Sequence, residues 1–93
     1  MTEKKIDTQA IEALYRVLLS LETPDDCRLL LEDLCTSKEV EQMAQRVKAA
    51  KLLIDGKTYH QVIEQTDISS ATLSRVSRCV QYGQGYRKFL DKK

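Results

Sequence analysis

Two short helical patterns joined by three residues, between Thr58 and Tyr82, constrain the fold more than anything else in this chain. Thr58 opens the first: its hydroxyl suits a helix N-cap, and Gln61 stands in the capping-box partner position. This helix is predicted to run to Gln65. Thr66-Asp67-Ile68 makes a tight connection, and Ser69 caps a second helix predicted to reach Tyr82, where Gly83 and then Gly85 break the pattern. Val62 and Ile63 sit on the first helix, Ile68 plugs the turn, and Leu73, Val76 and Val80 line the inner side of the second. On a wheel of about 100° per residue the last three cluster in a narrow arc. Helix, short connection, helix at this scale is a helix-turn-helix. Many such sequences place Gly where Asp67 stands and a small residue where Ile63 stands. Asp tolerates the left-handed conformation better than most residues, and Ile63 calls for a slightly wider helix crossing.

The remainder also reads as helix. With three Gly, one Pro and no Trp, the chain has few breakers and little strand-type aromatic content. Residues 1–6 read as a loose polar arm. From Asp7 or Thr8, Ile11, Leu14, Leu18 and Leu21 recur at spacings of three and four, with Ala10 and Val17 widening the apolar face. Thr23-Pro24-Asp25-Asp26 starts a second helix: Thr caps, Pro fits the first turn and the acids complement the helix dipole. Leu29, Leu30, Leu31 and Leu34 form its apolar side. Thr36-Ser37-Lys38-Glu39 is a capping box opening the longest helix, which ends at Asp55-Gly56. Val40, Met43, Ala44, Val47, Ala50 and Ile54 make its inner face, with Leu53 beside them. Tyr86 to Leu90 adds one or two final turns. The reading is one all-α domain over 1–93 with five to six helices: core and dimerisation helices at 7–54, the motif at 58–82 and a short C-terminal helix at 85–91.

Charge is distributed unevenly. The net charge is +1, yet residues 1–42 carry five basic and ten acidic side chains, a balance of −5. Residues 43–93 carry ten basic and four acidic, a balance of +6. Such polarity suits a chain with one end on a polyanion; two differently solvated surfaces are the plain alternative. Cys27, Cys35 and Cys79 are odd in number and show no metal-ligand spacing, so they are expected to be reduced and mostly buried thiols in a cytoplasmic protein. The N-terminus has no signal-type apolar core, and no stretch approaches the roughly 18 apolar residues of a membrane span.

Opposite the inner arc of the second motif helix stand Ala71, Ser74, Arg75 and Arg78, with Ser70 at the edge and Ser69 at the N-terminus. A recognition helix presents such residues to base edges in the major groove of DNA. Small Ser70 and Ala71 permit close approach, and Ala can meet a thymine methyl. Arg pairs bidentately with guanine, and Ser hydrogen-bonds bases or phosphates. Lys57, His60 and Gln61, around the start of the preceding helix, suit contacts to the DNA backbone, which position a protein without reading sequence. The plain alternative is a solvated helix in a bundle. His60, the single histidine, has no nucleophile or ligand set around it and reads as exposed. Asp25, Asp26, Glu32 and Asp33 read as helix-opening and surface acids rather than metal ligands. Tyr59, Tyr82 and Tyr86 are read as packing around the recognition helix in preference to stacking on bases. A redox role for Cys79 is the lesser reading of that thiol.

Four segments carry a resemblance to a known family: Thr36-Ser37-Lys38-Glu39, Gln45-Arg46-Val47-Lys48, Leu52-Leu53-Ile54-Asp55-Gly56 and Ser70-Ala71-Thr72-Leu73-Ser74-Arg75. In this order, the run from Leu34 to Leu90 resembles the Trp repressor superfamily, and the whole chain is similar to its YerC/YecD branch. The resemblance implies six helices, an intertwined homodimer and a two-fold symmetric DNA operator. It also implies an effector pocket drawing on Thr36, Arg46, Thr72 and Arg75. There the family's Gly and Ser are replaced by Val76 and Cys79, and Glu64 stands where a DNA-contacting Lys would be. A branched side chain at a point of close approach fills or narrows such a pocket. No tryptophan response is therefore expected, and the identity of any other small-molecule effector stays open.

Two functions compete. The first is a DNA-binding transcriptional regulator, a homodimeric repressor on double-stranded DNA. The second is a protein-interaction or assembly module that keeps the helices without specific DNA binding, a reading favoured by the near-neutral charge and Glu64. No arrangement of residues suggests an enzyme, a metal or a cofactor.

Overall fold

The computed structural model describes residues 5–91, and the N-terminal arm expected at residues 1–6 lies mostly outside them. Six helices account for the regular structure among these residues: α1 Thr8–Leu19, α2 Pro24–Leu34, α3 Ser37–Ile54, α4 Tyr59–Gln65, α5 Ser70–Tyr82 and α6 Gly85–Leu90. The chain forms two compact units that divide between Leu34 and Cys35, so α3 belongs with the helix-turn-helix rather than with α1 and α2.

The first unit is held by short-range polar bonds. Asp7 Oδ1 accepts the Ala10 N–H at 3.0 Å and opens α1. Thr23 Oγ1 accepts the Asp26 N–H, and Asp26 Oδ2 accepts the Glu22 N–H, both at 3.0 Å. Thr23 thus caps α2, and the Asp26 carboxylate reaches one residue beyond the cap, to Glu22, instead of closing a reciprocal pair with Thr23. The Glu22 N–H, seconded by Thr23, holds the Asp26 carboxyl below its ordinary range. Arg28 bridges Asp25 at 2.8 Å and Glu32 at 3.1 Å, which accounts for two of the acids considered above. Neither helix buries a residue; Ile11, Leu14, Val17, Leu18 and Leu29 are all exposed.

The second unit holds the core. Thr36 Oγ1 accepts the Glu39 N–H at 3.1 Å while Glu39 Oε1 accepts the Thr36 N–H at 2.8 Å, the reciprocal pair predicted for the start of α3. Its end is a Schellman motif: Gly56 N–H donates to Leu53 O and Lys57 N–H to Leu52 O, each at 3.0 Å. Gly56 carries the φ of +92° that this geometry needs. Ala49 and Ala50 of α3, Val62 of α4 and Leu73, Val76 and Val80 of α5 are buried together, with Leu52, Leu53, Ile54, Ile68, Tyr86 and Leu90 packed against them. Small Ala49 and Ala50 let α5 lie close on α3, and buried Ser77 continues that close face.

Several expectations change. On α3, Ala44 and Val47 are exposed and Ala49 is buried beside Ala50, where the core residues of α4 and α5 meet the helix. Ile63 is 37% exposed and stands outside the core, whereas Val62 beside it is fully buried. Asp67 does not take the left-handed conformation: no non-glycine residue among those described has a positive φ, and the turn is entered through an extended Thr66. The thiols are not mostly buried; Cys27 is exposed on α2, and Cys35 and Cys79 are half-buried. Only Tyr86 of the three tyrosines packs on the core, whereas Tyr59 and Tyr82 are exposed.

Candidate nucleic-acid interface

Both helices of the motif are locked at their N-termini. Thr58 Oγ1 accepts the Gln61 N–H at 3.1 Å, and Gln61 Oε1 accepts the Thr58 N–H at 2.9 Å. Ser69 Oγ accepts the Thr72 N–H and donates to Thr72 Oγ1, each at 3.1 Å. Two of the proposed contact residues are thus occupied in part: the Gln61 oxygen belongs to the cap, leaving its amide N–H groups, and Ser69 works mainly within α5.

The outer face of α5 is as free as the inner one is occupied. Leu73, Val76, Ser77 and Val80 are buried, while Ser70, Ala71, Ser74, Arg75 and Arg78 are exposed. Neither Arg75 nor Arg78 has a carboxylate partner within the described residues, nor does Lys57 at the entrance to α4. By contrast Lys51 is paired with Asp55 at 3.2 Å and Arg87 with Asp91 at 3.5 Å. Unpaired guanidinium groups on an exposed helix are available to phosphates or guanine edges. His60 is exposed, and its Nε2 lies 3.5 Å from Glu64 Oε2 one turn on. Tyr82, at 82% exposure, extends the line of Ser74, Arg75 and Arg78 by a further turn. Helical spacing could have suggested this position, but aromatic content argued for burial.

Beside this face, α3 and the start of α5 enclose an open cleft of about 650 Å³. Arg46 and Thr72 both line it, together with Lys38, Glu41, Gln45 and Asp67. The other residues implied for an effector pocket are placed elsewhere. Thr36 is engaged in the α3 cap, Val76 is in the core at 2% exposure, and Cys79 is half-buried outside the cleft lining. Gln45 was not singled out as a site residue in the sequence; its Oε1 accepts the Asp67 N–H at 2.9 Å. No group of residues suited to a metal ion occurs among those described.

Two capped helices around a glycine-free turn, the second with a basic outer face, define an all-α helix-turn-helix protein. Comparison then fixes the family. The model of the Trp repressor protein family matches residues 9–93, and the chain belongs to that family. It is 38% identical over 89 residues to the uncharacterized protein YerC of Bacillus subtilis (strain 168), covering 95% of this chain and 86% of the relative. Two crystal structures superpose with a TM-score of 0.85 each: a Staphylococcus aureus protein described as a candidate Trp repressor and a TrpR like protein from Eubacterium eligens ATCC 27750. The first is 36% identical, with 89% of this chain and 84% of that one covered. The second is 39% identical, with 89% and 87% covered.

Proposed function

We propose that this protein is a sequence-specific DNA-binding regulator of transcription, a repressor that acts in the cytoplasm on a palindromic operator. The observation that carries the reading is the pair Arg75 and Arg78, exposed and without carboxylate partners on the outer face of a helix whose other face is buried. Ala71 and Ser74 complete the base-facing surface, Ser70 lies at its edge, and Lys57, His60 and the Gln61 amide hold the DNA backbone. Ser69 supports them by capping the helix that carries the reading residues.

The working form is a homodimer, with the domain acting as a single regulatory unit. α1 and α2 bury no residue, although Ile11, Leu14, Leu18 and Leu29 lie on them. Exposed apolar area on this scale favours association with a second chain. Two copies present two recognition helices to half-sites about one DNA turn apart. Tryptophan is not the effector. Support comes from Val76, which occupies core space at the position where the family's Gly admits the indole, and from Cys79 in place of a hydrogen-bonding Ser. An enzymatic role has no supporting constellation of side chains.

Selection of bound duplexes from a random DNA pool tests the reading. A palindromic consensus with half-sites one helical turn apart supports it. Recovery of sequences no different from the starting pool favours the assembly module. Sedimentation tests the dimer separately: a clean monomer at micromolar concentration contradicts it.

A further inference from the structure

We propose that Gln45 is a positioning residue that fixes the recognition helix on α3 and so governs discrimination between DNA sequences. This deepens the proposed DNA-reading function and rests on it. The turn at 66–68 contains no glycine and no left-handed residue, so local backbone geometry alone does not lock its path. Its polar bonds mostly stay inside the motif. Thr66 sends its N–H and hydroxyl to Val62 O at 3.0 and 2.7 Å, binding the turn to α4. Ser69 bonds to Thr72, binding it to α5.

Two tethers reach beyond the motif. One is apolar: Ile68 packs against the core. The other is the Asp67 N–H donating to Gln45 Oε1, a bond between positions 22 residues apart. No other side-chain hydrogen bond among the described residues joins the turn to α3. Dispersion contacts permit sliding, whereas a hydrogen bond weakens steeply with angle and length, so Gln45 sets the register that Ile68 leaves loose. Gln45 also lines the cleft between α3 and the start of α5. Base-edge contacts need side chains held within about 0.5 Å of their productive positions, while phosphate contacts tolerate more. Losing the tether therefore lowers discrimination more than it lowers general DNA affinity.

The test compares the full-length wild type with Gln45→Met, which keeps chain length and helix propensity but loses the amide oxygen, and Gln45→Glu, which keeps an acceptor. Amide hydrogen exchange is read at Asp67 and Leu73. The affinity ratio is read for a pool-selected duplex over an unselected one. In Gln45→Met, exchange at Asp67 rises and the ratio falls, each by about fivefold, the factor that one hydrogen bond of ordinary net strength represents. Leu73 protection and the affinity for unselected duplex stay unchanged, and Gln45→Glu restores both readouts. Unchanged exchange at Asp67 overturns the tether, and a ratio that holds while exchange rises overturns its role in discrimination. Equal loss of protection at Leu73 assigns Gln45 to general stability and also overturns the proposal. A wild type with no preference among duplexes defeats the DNA-reading function itself, while exchange at Asp67 still decides the tether.

Discussion

Replacing Gly56 by Ala sets the cost of a left-handed backbone against the gain from a stiffer unfolded chain. Gly56 sits at φ +92°, and a Cβ built there meets nothing within 4 Å, so the cost is one of backbone conformation alone. An L-residue in the left-handed region costs about 1–2 kcal/mol. Against this, Ala reduces unfolded-chain entropy by an amount worth about 0.4–1 kcal/mol. The net expectation is a destabilisation of about 1 kcal/mol, or a fall in Tm of about 4–8 °C for a domain of this size. Relief by local rearrangement is limited, because moving Gly56 breaks its own bond to Leu53 O and the Lys57 bond to Leu52 O. The assay is thermal unfolding followed by far-UV circular dichroism, at one protein concentration because association shifts Tm. Gly85→Ala is the internal comparison. It lacks a positive φ, its Cβ also meets nothing within 4 Å, and it lies in the first turn of α6, so its Tm rises. An unchanged or raised Tm for Gly56→Ala refutes the reasoning, since the Schellman geometry would then place no demand on this residue.

Other outcomes follow from the packing, the caps and the cleft. Leu73→Ala, at a side chain with 1% exposure, costs about 2–5 kcal/mol and is read from the urea midpoint; a loss below 1 kcal/mol would mean that the core collapses around the gap. The Asp26 carboxyl titrates below its ordinary 3.8 in the folded chain, so its contribution to the start of α2 is full above that value. It is lost as pH falls through the lower folded value. The acid-induced loss of helix signal should therefore be smaller in Asp26→Asn, and identical titrations would contradict the cap. On the proposed reading, tryptophan leaves DNA affinity unchanged; a tryptophan-dependent gain in binding would contradict it and would point to the cleft beside Arg46 and Thr72.

Local features were the most legible in the sequence. The Thr36–Glu39 and Thr58–Gln61 capping boxes span four residues each, and their geometry follows from the chemistry of the two side chains. The inner face of α5 was equally clear, because Leu73, Val76 and Val80 repeat at helical spacing. The face of α3 was read less well. Its apolar residues surround too much of the helix for periodicity to choose among them, and the choice of Ala49 over Ala44 depends on where α5 lands. Tyr82 misled for a related reason: aromatic character favours burial on average, but the helix turns this position outward. The Gln45–Asp67 bond had no local signal at all, since it joins residues brought together only by the tertiary fold.

The reading of the exposed face stands or falls on specificity rather than on affinity, because any chain with free cations binds DNA at low salt. The decisive measurement is a competition at physiological salt between a pool-selected duplex and an unselected one, made for wild type, Arg75→Ala and Arg78→Ala. Wild type is expected to prefer the selected duplex by about a thousandfold or more, reduced by roughly tenfold or more when a base-reading arginine is removed. A wild-type ratio near one, untouched by either substitution, would contradict sequence-specific recognition by α5.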